Sequence, residues 1–144
     1  MFNAISFLLH STLCSNLLSN QNVHIMNDTL IREFKAADVN APVIILFGGN
    51  PNRMNEVVTL IKNVGGITAI GSFSEEEGMQ LLKSLPKIDL VLIGGRYTDE
   101  QRNRIRAYVK QQLPNTQITE PGYQYPYENS EIIKDIRKKL NFEQ

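Results

Sequence analysis

Apolar positions between residues 41 and 140 follow two alternating patterns. Short, largely apolar runs at 43–47, 67–71 and 88–93 are each followed by a stretch in which apolar residues recur every three or four positions. The first pattern predicts strands buried on both faces, and the second predicts amphipathic helices. Met54, Val57, Val58, Ile61 and Val64 mark the buried stripe of one helix; Met79, Leu82 and Leu85 mark the second. Ile105, Tyr108, Val109 and Leu113 mark the third, and Ile132, Ile133, Ile136 and Leu140 the last. Residues 116–119 read as a short fourth strand. Strands that alternate with helices call for right-handed crossovers, so the expected fold is α/β: a three-layer, doubly wound parallel sheet with four to five strands.

Local punctuation supports these boundaries. Ser74 with Glu77 and Thr98 with Gln101 have capping-box spacing. Gly65-Gly66 is expected to stop the first helix with a left-handed cap, Pro86 helps to end the second, and Pro114 with Asn115 breaks the third. Asn129 or Ser130 is the expected cap of the last helix. Ahead of the regular part, residues 26–40 form a lead-in. Its Leu30, Ile31, Phe34 and Ala37 suit either a helical face behind an Asn27 or Asp28 cap, or an edge strand.

Residues 1–25 differ from the rest in carrying no Lys, Arg, Asp or Glu. Their apolar run at 5–9 lacks the basic flank of a signal peptide and is too short to span a bilayer. The expectation is a disordered tail or a misassigned start with Met26 as the first residue, in a cytoplasmic protein with no membrane association. Across the 144 residues, 15 basic side chains balance 15 acidic ones, which provides no general footprint for nucleic acid. Cys14, His10 and His24 are the only cysteine and histidines, so neither an intramolecular disulfide nor a zinc site is expected. The length suits one domain, placed at 41–144.

The stretch from Pro86 through Lys87, Ile88, Asp89, Leu90, Val91 and Leu92 to Ile93, entered from an amphipathic helix, resembles the third strand of response-regulator receiver domains, which implies a flavodoxin-like fold. Receiver chemistry needs an aspartate where that strand ends and an acidic pair after the first strand. Gly94 stands at the first place, and Gly48, Gly49 and Asn50 at the second. Where a lysine would precede a late proline, this chain has Glu120-Pro121. The resemblance therefore implies a receiver-like domain without a phosphoryl acceptor or magnesium site.

In the strand order 2-1-3-4 the crevice lies between the first and third strands, so the loops at 48–53 and 94–98 face each other. Gly48, Gly49, Asn50, Arg53, Gly94, Gly95 and Arg96, with Glu120 on the same edge, are the candidate ligand residues. On one reading, backbone amides, two helix N-termini and both arginines receive a phosphate or carboxylate. On the other, paired glycines only turn the chain. Neither loop matches a dinucleotide or Walker motif, and no cofactor is expected. Asp89, at the start of its strand, is expected to serve a turn. Arg102, Arg104, Arg106 and Lys110 are expected to form a solvated face, and Tyr123, Tyr125 and Tyr127 suit either a ligand or partner surface or a simple cover for the end of the sheet. The leading expectation is a non-catalytic signalling or interaction domain that binds a protein partner or a second copy of itself. The alternative is a small anionic-metabolite or nucleotide-binding protein using the crevice, with catalysis left open.

Overall fold

A computed structural model describes residues 31–142, so the expectations for residues 1–30 lie outside the described residues. The elements run in the order β1 (Glu33–Phe34), β2 (Val43–Phe47), α1 (Pro51–Val64), β3 (Thr68–Ser72), α2 (Glu75–Ser84), β4 (Leu90–Ile93), α3 (Asp99–Gln112), β5 (Gln117–Thr119) and α4 (Asn129–Lys139). They build one five-stranded sheet in the order β1-β3-β2-β4-β5. Strands β2 to β5 are mutually parallel, with Ile45 opposite Ile70 on one side and Val91 on the other.

The apolar runs are consumed by the two faces of this sheet. Ile44, Leu46, Leu90 and Leu92 point to the face covered by α1 and α4, where Val58, Ile61, Ile132 and Ile136 meet them. Ile45, Phe47, Val91 and Ile93 point to the other face, against Leu82 of α2 and Ile105 and Val109 of α3. This is a three-layer, doubly wound α/β domain. Because successive strand residues face opposite layers, a central strand sandwiched this way must be apolar throughout. Burying one such side chain stabilises the fold by about 1.5–3 kcal/mol.

One open alternative is resolved and two expectations need correction. Of its two readings the lead-in takes the edge strand: β1 pairs antiparallel with β3, Glu33 opposite Ile70 and Phe34 opposite Ala69, so the sheet is mixed. It is held by the Gly71 N–H donating to the Arg32 carbonyl at 2.7 Å, by the Arg32 guanidinium donating to the Gly71 carbonyl at 3.0 Å, and by Phe34 packing on the α1–α4 layer. Gly65 sits at φ 156° and ψ −159°, an extended conformation open to glycine and not a left-handed helical cap. At α4, Asn129 is already the first helical residue; Glu128 is the N-cap and its side chain makes no cap bond. Elsewhere the local signals hold. Thr98 and Gln101 form a reciprocal capping box. Ser74 accepts from the Glu77 N–H, while the Glu77 carboxylate reaches one residue further back, to the Phe73 N–H. Asp89 acts as a cap and not in a turn: its carboxylate accepts from the Val43 N–H at 2.8 Å and joins the starts of β2 and β4.

Candidate functional site

Strands β2 and β4 are adjacent at the centre of the sheet while their helices, α1 and α3, cover opposite faces. That divergence opens a crevice beyond the carboxyl ends of the two strands. A cleft of about 470 Å3 occupies it, within the size range of small-molecule sites. Gly48, Gly49, Asn50 and Arg53 line it from the β2–α1 side, and Gly94, Gly95 and Arg96 from the β4–α3 side. Seven of the eight candidate ligand residues thus surround one space. Leu46, Met54, Val57, Leu92 and the Tyr127 ring make its apolar wall.

The loops are held by specific contacts. The Gly48 N–H donates to the Ser72 carbonyl at 2.9 Å and the Gly94 N–H to the Phe47 carbonyl at 2.8 Å. A Cβ on Gly94 would lie 2.8 Å from that carbonyl oxygen, so the close approach of β4 to β2 requires glycine there. Tyr97 ties the two sides together, its hydroxyl donating to the Gly48 carbonyl at 3.2 Å. Burial, and then the negative charges of Glu75 and Glu77, push Tyr97 up to about 12, so it remains a protonated donor at neutral pH.

The helix N-termini contribute less than expected. Asn50 Oδ1 accepts from the N–H groups of Asn52 and Arg53 at 2.9 and 3.2 Å, and Pro51 has no N–H, so the first donors of α1 are satisfied internally. Helix α3 opens with Asp99 and Glu100, and neither lines the cleft. The donors that remain are the N–H groups of Gly49, Asn50, Gly95 and Arg96, which donate to no acceptor among the described residues. Two guanidinium groups add to them. Arg53 pairs with Glu56 and stacks on Tyr127, 4.5 Å from the ring centroid. Arg96 is exposed and forms no ion pair among the described residues. No Asp or Glu lines the cleft.

Glu120 does not belong to this site. Its side chain is 2% exposed and accepts from Arg102 at 2.8 Å and from both Nε and Nη2 of Arg106 at 2.8 Å. Burial alone would raise its pKa, but the bonds from Arg106 and Arg102 outweigh burial and hold the carboxyl below 4.5. A buried carboxylate that accepts three bonds from two arginines and lines no cleft is neither a general acid nor a ligand for a hydroxyl. Arg102 overturns the expectation of a solvated basic face. It is as buried as Glu120, and besides that carboxylate it donates to the Gly94 carbonyl at 2.8 Å and the Tyr97 carbonyl at 3.2 Å. It is the residue that shapes the 94–97 rim. Its spacing carried a signal, since Arg102 precedes Ile105 by three and Val109 by seven positions and so lies on their buried stripe.

The tyrosines separate. Tyr127 lines the cleft. Tyr123 lies 53% exposed, 4.8 Å over the guanidinium groups of both Arg102 and Arg106. Tyr125 is half-buried, its hydroxyl 2.7 Å from Thr119 Oγ1, which in turn contacts Asp135. Among the described residues, no group of three or more His, Cys, Asp or Glu side chains could hold a metal ion, and no helix is long and apolar enough to cross a membrane. Comparison of the chain with protein-family models, with curated proteins and with solved structures finds no match.

Proposed function

We propose that this is a receiver-like, non-catalytic binding domain that holds a small organic anion in the β2–β4 crevice. The observation that carries the reading is a 470 Å3 cleft lined by Arg53 and Arg96, with no carboxylate in its wall. In a chain of zero formal net charge, Arg96, which has no ion pair among the described residues, and Arg53, shared with Glu56, give this rim a positive bias. The absence of catalysis rests on the residues at the receiver-like positions: Gly94 ends the third parallel strand, Gly48, Gly49 and Asn50 follow the first, and Glu120 is locked by two arginines. None of these accepts a phosphoryl group.

Thermal stability of the full chain against nucleotides, sugar phosphates and carboxylates tests the reading. A ligand at ~100 times its dissociation constant adds about 2.7 kcal/mol, and Arg96→Ala should abolish the shift. A stabilising compound whose effect survives Arg96→Ala would place binding elsewhere.

A second reading, an interaction domain for a protein partner or a second copy, is favoured by Tyr123. An exposed aromatic ring backed by two guanidinium groups is the composition of an interface anchor. Light scattering on the parent and Tyr123→Ala chains tests self-association. A monomer at all concentrations removes the second copy from this reading.

A further inference from the structure

The cleft is rich in donors and poor in acceptors, and this asymmetry names a ligand class. We infer that it takes an aryl anion, a flat apolar body carrying one phosphate or carboxylate, in preference to a sugar phosphate; the inference rests on the binding reading above. A sugar brings several hydroxyl groups, each a donor that must find an acceptor once buried. Apart from the tyrosine hydroxyls, the cleft's one side-chain acceptor and three of its backbone carbonyls already take a bond. Asn50 Oδ1 takes two helix amides. The Gly48 carbonyl takes Tyr97, the Gly94 carbonyl takes Arg102, and the Phe47 carbonyl takes the Gly94 N–H. No Asp, Glu, Gln or His side chain lines the space.

What the cleft offers instead is matched to an acceptor-only head and an apolar body. The head meets the amides of Gly49 and Gly95, which have no acceptor among the described residues, with the arginines at the rim; the body meets Leu46, Met54, Val57, Leu92 and the Tyr127 ring. Gly49 is placed for such a contact. An added Cβ at Gly94 would lie 2.8 Å from the Phe47 carbonyl oxygen, so packing requires that glycine, whereas at Gly48 it would meet only the flexible end of Met54. At Gly49 it would meet nothing within 4 Å, which leaves the backbone there open to a ligand.

The test is calorimetric titration of the full chain with 1-naphthyl phosphate, 1-naphthoate, 1-naphthol, ribose 5-phosphate and inorganic phosphate. The expected result is that 1-naphthyl phosphate or 1-naphthoate binds at least about tenfold tighter than ribose 5-phosphate, inorganic phosphate and 1-naphthol. Whichever of the two binds better identifies the head group. Gly49→Val should weaken that binding by about tenfold or more with the melting temperature unchanged. Ribose 5-phosphate binding as tightly as either aryl anion overturns the aryl inference and leaves the anion site standing. Equal binding of 1-naphthol and 1-naphthyl phosphate overturns the anion site itself, and so does the failure of every compound to bind at millimolar concentration. Full binding by Gly49→Val removes the assignment of the head to the Gly49 amide.

Discussion

Arg102 and Glu120 face each other at 2.8 Å with both side chains 2% exposed, and the same guanidinium carries the Gly94 and Tyr97 carbonyls of the cleft rim. One buried side chain thus joins the end of β4, the start of α3 and the loop after β5. Replacing it by Met leaves a buried carboxylate with Arg106 alone, the Tyr97 carbonyl without a donor and the Gly94 carbonyl with only the Tyr97 N–H at 3.3 Å. The expected loss is roughly 3–5 kcal/mol, read by urea denaturation. Arg102→Lys should recover only part of it, because an ammonium on a flexible stem cannot reproduce the planar fork. A loss under about 1 kcal/mol for Arg102→Met would show that the rim is held by other contacts.

Glu120 also makes stability depend on pH. Its folded-state pKa lies below 4.5 because Arg106 and Arg102 together outweigh burial, so its contribution is complete above that value and is lost as pH falls through the folded-state value. Glu75 and Glu77 act with the same sign, through Arg104 and Arg32 respectively. Glu120→Gln should therefore be less stable than the parent at pH 7, with the gap narrowing as pH drops below about 4.5. Chemical denaturation from pH 7 to 3 measures it, and a gap that stays constant would mean that Glu120 is not ionised in the fold.

How much of this was legible in the chain depends on which side-chain property was at work. Apolar periodicity exposed the layers, because Ile44 to Phe47 and Leu90 to Ile93 have no polar face to disguise. The crevice followed from strand order, which brought the Gly48–Arg53 and Gly94–Arg96 loops to one space. The edge strand stayed ambiguous since two residues are too few to show a period. Arg102 was hidden by its own charge: a guanidinium on a buried stripe is tolerated only because Glu120, eighteen residues away, arrives to neutralise it. That pairing is a tertiary fact, and it also removed Glu120 from the cleft.

Gly78 in α2 is a position where helix propensity and packing disagree. Alanine is favoured over glycine in a helix by about 1 kcal/mol. A Cβ here, however, would lie 2.2 to 2.7 Å from three atoms of the Phe47 ring, and that ring is fully buried with no room to yield. Overpacking of this kind costs about 1–3 kcal/mol, so Gly78→Ala should lower the melting temperature. Adding Phe47→Leu, which removes the clashing ring, should make the alanine less costly than it is alone. An increase in melting temperature for Gly78→Ala would show that α2 can lift from the sheet without penalty.

Tyr97 links stability to ligand choice. Its ring meets Phe47 edge-on at 6.0 Å between centroids, and its hydroxyl closes the Gly48 carbonyl to any ligand. Its pKa is raised from 10.0 to about 12, so its stabilising contribution is intact below pH 10 and is lost as pH climbs toward 12. Tyr97→Phe keeps the ring and removes one hydrogen bond, an expected loss of about 0.5–1.5 kcal/mol. It also frees a carbonyl acceptor inside a cleft that otherwise offers few. Ligands with hydroxyl groups should gain from that acceptor and acceptor-only heads should not, so the preference for 1-naphthyl phosphate over ribose 5-phosphate should narrow in Tyr97→Phe. An unchanged ratio, measured by the same titrations, would mean that the Gly48 carbonyl is not part of the surface a ligand meets.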